Sequence, residues 1–299
     1  LLEWASKNGV DHASFLCFPH NSTMCEKQES LIDLKYFYLN GVKAESRLLF
    51  NNSYLQKGET DGSSFPSGGL RFTHRARAYM IRDPFSEIFI RKKNKIMYIP
   101  SLLVTHHGLA LDDKTIFRKS EAVMKSSAIN LLKALGVNAK EIFLALGLEQ
   151  EFFVIPKSAY HKRQDLLFTG RTLVGRVGAK NQQFSDHYFA KIPNEIEAVL
   201  REIESEFLEI GIPFKTRHNE VANNQFEYSA IFTDAGKAID QNLIAMELLK
   251  EFFEKKGYIA LLHEKPFLEL NGSGKHANWS INYVDGENKL KNLFSVPKD

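Results

Sequence analysis

Cysteine is nearly absent from this chain of 299 residues, which holds only Cys17 and Cys25. Two thiols at that spacing, with no others, match neither a zinc site nor a disulfide scaffold, so reduced thiols in a cytoplasmic protein are expected. Long apolar runs are also missing. None approaches the roughly 20 residues a helix needs to cross a bilayer, so no membrane partner is expected. Excess charge is absent too: 39 Lys and Arg against 36 Asp and Glu leave +3. With the basic residues dispersed, a nucleic-acid partner is not expected. The chain opens at Leu1, without an initiator Met and already inside a helical pattern, and reads as a fragment from which a targeting segment could be missing.

What is present is an ordinary globular composition, 43% apolar and 25% charged, on a length that favours two domains. The first hundred residues carry short strand-like runs at 13–18, 36–39, 48–50 and 87–90. A further run, 95–104, pairs with 87–90 as a hairpin across the basic turn Arg91-Lys-Lys-Asn94. A small, mostly antiparallel sheet domain is the reading for residues 1–106. Within it, Thr60-Asp-Gly-Ser-Ser-Phe-Pro-Ser-Gly-Gly69 is dense in turn formers and lacks the Gly-Lys-Ser/Thr ending of a phosphate-binding P-loop. On its own it reads as a flexible connection.

From about residue 107 to 299 longer helices alternate with strands. The spacing predicts a helix over 119–135, with Val123, Ile129 and Leu132 inward and Gly136 as its stop. A second helix is capped by Asn194 and carries Ile196, Val199, Leu200, Ile203, Phe207 and Ile210 to Gly211. A third runs over 237–256, with Ile239, Leu243, Met246, Leu249 and Phe253 inward and Gly257 as its stop. All three stripes read as core. The fold class is α/β or α+β, built on a mainly antiparallel sheet.

Two acids open a hydrophobic strand in Gly147-Leu-Glu-Gln-Glu-Phe-Phe-Val-Ile155. Side chains alternate along a strand, so Glu149 and Glu151 point the same way as Phe153 and Ile155. Adjacent carboxylates repel, and either a cation sits between them or the strand end is exposed. Oxygen ligation suits Mg²⁺ or Mn²⁺. In Asn219-Glu-Val-Ala-Asn-Asn-Gln-Phe-Glu-Tyr-Ser229, a two-residue turn at Asn223-Asn224 sets Glu220 opposite Glu227, a second pair of opposed acids. Two such pairs on one sheet favour a metal site over two separate solvated pairs.

A third stretch, Leu270-Asn-Gly-Ser-Gly-Lys-His-Ala-Asn-Trp-Ser280, lets backbone amides approach an anion, with Lys275 and His276 adding charge or a ligand. For His276 alone a structural role is the simpler reading. His74, His106, His107, His187 and His218 show no spacing that joins them, and are read as structural.

Together, Glu-x-Glu-Phe-Phe, Asn-Glu-Val-Ala-x-x-Gln-x-Glu and Asn-Gly-Ser-Gly-x-His resemble glutamine synthetase. Residues 63–71, Thr169-Gly-Arg-Thr-Leu173 and Asp186-His-Tyr-Phe189 resemble its type III branch. The resemblance implies a β-grasp domain at 1–106 and the first part of a catalytic domain at 107–299. It implies ATP-dependent ligation of ammonium to glutamate through γ-glutamyl phosphate, with ATP as substrate and two or more Mg²⁺ or Mn²⁺ ions. Glu151, Glu220 and Glu227 match the ligands of one metal; Glu149 and His276 match ligands of another. Asn271 and Gly272 match glutamate-binding positions. Asn278, Ser280 and Phe232 match the nucleotide's surroundings. Asp61 resembles an acid that one subunit lends to its neighbour's ammonium site, in a ring-based homo-oligomer, a dodecamer.

Asn223, Ala277 and Leu109 stand where the branch commonly has proline, asparagine and glutamate. Asp299 precedes the family's phosphate-binding arginines, last metal-ligating glutamate and flap, so the 299-residue piece alone is expected to be inactive. A ligase for another amine and a non-catalytic interaction module of the same fold are the alternatives.

Overall fold

Strand and helix positions follow from a computed structural model that describes residues 1–18, 24–34, 46–48, 56–61, 77–176, 178, 182 and 187–295. The chain divides into two units, Leu1–Gly136 and Val137–Asp299. The division falls after a long helix, whereas the change of pattern in the sequence comes near residue 107.

The first unit contains α1 (Leu2–Lys7), β1 (His12–Cys17), β2 (Cys25–Ser30), β3 (Ile32–Leu34), β4 (Ser46–Leu48), β5 (Gln56–Asp61), β6 (Arg77–Arg82), β7 (Phe89–Arg91), β8 (Ile96–Thr105) and α2 (Asp113–Ala134). Its main sheet runs β2-β1-β8-β6-β5, with β7 also on β8. All pairs are antiparallel except β1 with β8. Those two strands are apolar on both faces, as a parallel pair inside a sheet must be. Ala13, Phe15 and Cys17 meet Met97, Ile99 and Leu103 in the core. The expected hairpin forms between β7 and β8, closed by a 3-10 turn at Lys92–Asn94 and by Lys95 in the left-handed region. The polar edge strand β2 had no apolar signature to betray it. The expected run 36–39, and nearly all of the loop 60–69, lie outside the described residues.

α2 begins six residues before the predicted Lys119. Asp112 explains the difference. One carboxylate oxygen accepts the Thr115 N–H (2.8 Å) as a helix cap, and the other accepts the Leu103 N–H (3.0 Å) from β8. The expected core stripe on this helix is corrected. Leu132 is buried, but Val123 is 67% exposed, as are Ile116, Leu131 and Leu135 in large part. The helix is anchored by polar groups at its start: Lys114 and Arg118 lie 3.1 and 3.0 Å from the buried Asp83 carboxylate.

The second unit contains β9 (Glu141–Pro156), α3 (Lys157–Tyr160), α4 (Gln164–Thr169), α5 (Asn194–Glu209), β10 (Phe214–Asn219), β11 (Gln225–Ala230), β12 (Thr233–Asp234), α6 (Ala235–Lys255), β13 (Tyr258–Leu261), β14 (Lys275–Val284) and β15 (Leu290–Asn292). The sheet order is β10-β11-β9-β14-β15, entirely antiparallel, with β12 and β13 also paired to β9. β9 is its spine. One edge takes β11 and β12, the other β13 and β14.

One face of this sheet is covered by helices, where Phe152 packs against Phe226 and against Phe253 of α6. The α5 stripe is buried from Ile196 to Phe207 as expected, although Pro193, not Asn194, stands at the cap. On α6 the buried line is Ile244, Ala245, Leu248, Leu249, Phe252 and Phe253, while Ile239, Leu243 and Met246 are only half-buried. Among the described residues no helix is long and apolar enough to cross a membrane.

Candidate active site on the central strand

The opposite face of β9 carries the acids. Glu151 lies across from Glu227 on β11, which in turn lies across from His218 on β10. Glu149 lies between Ser229 on β11 and His276 on β14. Four strands therefore bring Glu149, Glu151, Glu227, His218 and His276 onto one face, and Glu220 joins them from the loop after β10.

That loop corrects the expected hairpin. Glu227 faces His218, and the Glu220 N–H bonds the Gln225 carbonyl (2.8 Å), so the turn spans Val221 to Asn224. The register is displaced by two residues, which preserves the face on which each side chain lies. Glu220 and Glu227 thus stay together, diagonally rather than directly opposed.

Imidazole nitrogens and carboxylate oxygens converge closely. His276 Nδ1 is 3.1 Å from Glu149 Oε2, and His276 Nε2 is 3.7 Å from Glu151 Oε1. His218 Nε2 is 3.2 Å from Glu227 Oε1, and its Nδ1 is 3.5 Å from Glu220 Oε1. Glu149, Glu227 and His276 each place a ligand atom within 4.8 Å of the others; so do His218, Glu220 and Glu227. Glu227 belongs to both sets. Burial pushes its carboxyl up to about 7; His218 opposes that, and Glu149, Glu220 and Glu151 reinforce it. Glu220, as hydrogen-bond acceptor, pushes the Tyr188 hydroxyl up to about 12. Oε2 of Glu220 is buried without a hydrogen-bond partner among the described residues. A cation among these groups would relieve both the repulsion and the unmet acceptor, and the donor set of carboxylates and imidazole fits Mg²⁺ or Mn²⁺.

Other expected positions surround this cluster. Asn278 Nδ2 donates to Glu149 Oε1 (2.9 Å), and Ser280 follows on the same face of β14. Exposed Phe232 sits over Gly147, where an added Cβ would come within 3.3 Å of its Cβ. Asn271 and Gly272 lie in the loop Glu264–Ser273, whose neck is closed by the Ser273 N–H on the Glu264 carbonyl (2.8 Å). A Cβ on Gly272 would stand 2.8 Å from that carbonyl, so the close approach requires glycine. Thr172 of the 169–173 motif donates its N–H and its hydroxyl to the Pro266 carbonyl (2.9 and 3.1 Å), holding this loop from outside. Asp61 ends β5 in the first unit, opposite Arg77.

Two residues beside the cluster carry no expectation from the sequence. Spacing reads His218 as structural, whereas the structure sets it among the acids; its place directly before Asn219-Glu220 is the available signal. Tyr188, inside a recognised motif, had no role assigned.

The fold has solved counterparts. Against the cryo-EM structure of Plasmodium falciparum glutamine synthetase the TM-score is 0.66 at 18% identity, over 100% of this chain and 55% of that one. This likeness defines the class, a glutamine synthetase α+β fold. Sequence comparison goes further. Residues 126–295 match the family model "Glutamine synthetase, catalytic domain", and residues 1–120 match "Glutamine synthetase type III N terminal". The chain belongs to the glutamine synthetase family, in its type III branch. It is 41% identical over 97% of its length to type-3 glutamine synthetase of Dictyostelium discoideum, and 40% identical over 93% to a glutamine synthetase of Bacteroides fragilis. It spans 39% and 37% of those relatives' lengths.

Proposed function

We propose that the complete protein forms glutamine from glutamate, ammonium and ATP, releasing ADP and phosphate. One observation carries this reading: four carboxylates from separate stretches share one sheet face, with Glu220 Oε2 unmet and Glu227 raised to about 7. A purely structural sheet gains nothing from that arrangement.

Glu151, Glu220 and Glu227 would hold one divalent ion, and Glu149 with His276 another. Such ions supply charge neutralisation between the phosphates of ATP and the attacking carboxylate of glutamate. The chain's own groups do the rest. Asn271 and Gly272 orient glutamate, while Asn278, Ser280 and Phe232 border the nucleotide. Asp61, lent by a neighbouring subunit of a ring-based homo-oligomer, takes the proton that ammonium gives up before it attacks γ-glutamyl phosphate. Exclusion of water protects that acyl phosphate. We place the protein in the cytoplasm, with no nucleic-acid or membrane partner.

The test is product formation by the complete polypeptide with glutamate, ATP, ammonium and Mg²⁺ or Mn²⁺. Glutamine in step with ADP and phosphate is the expected result. ATP turnover only with another amine would move the substrate assignment. No turnover together with no Mn²⁺ binding at millimolar concentration would overturn it.

A further inference from the structure

Gln225 is completely buried, and its amide is engaged on both sides. Oε1 accepts the Ala222 N–H (3.2 Å), while its own backbone N–H bonds the Ala222 carbonyl (3.1 Å). This fixes which end of the amide is which. Nε2 then faces three acceptors: the Gly272 carbonyl (2.9 Å), Glu151 Oε2 (3.2 Å) and Ser273 Oγ (3.3 Å). One neutral donor thus joins an acid of the central strand to the neck of the Glu264–Ser273 loop.

A second bond lies in parallel. Just before β14 the Gly274 N–H donates to the side chain of Glu151, at Oε2 (3.0 Å), while the Glu151 carbonyl is met by Gln150 Nε2 (2.8 Å). Oε2 is therefore occupied twice by protein donors. Oε1 is left facing His276, turned toward the acid cluster. The carboxylate works as a lever with one oxygen toward the ion and the other toward the loop. Moving or rotating it changes two bonds to residues 272–274 at once.

We infer that Gln225 is a positioning residue that couples occupation of the divalent-ion site to the order of the Glu264–Gly274 segment. The acid face and the loop need not bind independently: an ion that fixes Glu151 Oε1 also fixes Oε2, and through Gln225 it fixes Gly272. In the absence of an ion the four acids repel, Glu151 loses its fixed orientation, and the loop loses its hold. The inference rests on the proposed function where it makes Glu151 a ligand of the ion and this loop the seat of glutamate. There it has metal and glutamate reinforcing each other's binding, as reciprocal linkage requires.

Hydrogen exchange on the complete polypeptide tests this, with and without Mn²⁺ at a concentration that saturates each variant by its own measured Kd. In the parent, Mn²⁺ should slow exchange of the 264–274 amides by about fivefold or more, since local opening sets that rate. Gln225→Leu should still bind Mn²⁺, within about tenfold of the parent because no ligand is removed, yet show no Mn²⁺-dependent change in that segment. Gln225→Met, which keeps the length of the side chain and removes the donor without adding charge, carries the same test if the leucine variant does not fold. In turnover, glutamate KM should rise more than kcat falls. Equal Mn²⁺-induced protection in parent and variant, or none in the parent, overturns the coupling. A parent that makes no glutamine would overturn the proposed function while leaving the exchange result to decide the coupling.

Discussion

Between its ordinary 4.5 and about 7, folded Glu227 keeps a proton that the unfolded chain gives up, chiefly because it is buried. Its contribution to stability is present at low pH and is lost as pH rises through about 7. Thermal unfolding of the metal-free protein should therefore shift to lower temperature between pH 5 and pH 7, and Glu227→Gln should flatten that dependence. An ion held by Glu227 would displace the same proton, so the Mn²⁺ Kd should tighten by about tenfold between pH 6 and pH 8, as one group titrating at 7 requires. A Kd independent of pH would take Glu227 out of the metal site. Glu227→Ala should also lower turnover by orders of magnitude with circular dichroism unchanged. The carboxylates were legible from sequence because strand alternation alone puts Glu149 and Glu151 on one face. His218 was not, since its neighbours become known only once the hairpin register is set.

Elements differ in how openly they announce themselves. β9 and the α5 stripe could be read from apolar spacing. The start of α2 could not, because Asp112 earns its place through Leu103, a residue of another strand. Asp112→Ala should cost about 2 to 3 kcal/mol, the sum of a lost cap and a buried N–H left unpaired. A change in chemical unfolding below about 0.5 kcal/mol would refute that account. The hairpin after β10 misled for a related reason. Asn223-Asn224 looks like a complete turn, but the Gln225 side chain closes a longer one by taking the Ala222 N–H. In the Glu264–Ser273 loop, Gly272→Ala must displace the Glu264 carbonyl. Glutamate KM should rise by about tenfold or more while the melting temperature moves by only a few degrees, because the strain is local to an exposed loop. An unaltered KM would mean that the loop yields freely.

At the scale of the whole molecule, Asp61 and the acid face belong to different units of the chain. If one subunit serves its neighbour's site, Asp61→Asn and Glu227→Gln proteins should each be inactive alone. Reassembled together at equal amounts they should recover roughly a quarter of parent activity, the statistical share of interfaces with both contributions intact. No recovery, with mixed oligomers demonstrated, would place Asp61 and Glu227 in the same subunit's site.

The spine strand carries a further consequence, for the order of synthesis. Glu149 and His276 are 127 positions apart in sequence yet 3.1 Å apart in space. During translation the acids of β9 emerge long before their imidazole partner, and such distant pairings close late because loop entropy must be overcome first. Until β14 docks, the nascent chain has a strand edge exposed where β14 belongs, so the ion proposed for Glu149 and His276 cannot template that part of the sheet. Its binding would thereby report that translation has passed residue 276 and that β14 has closed on β9.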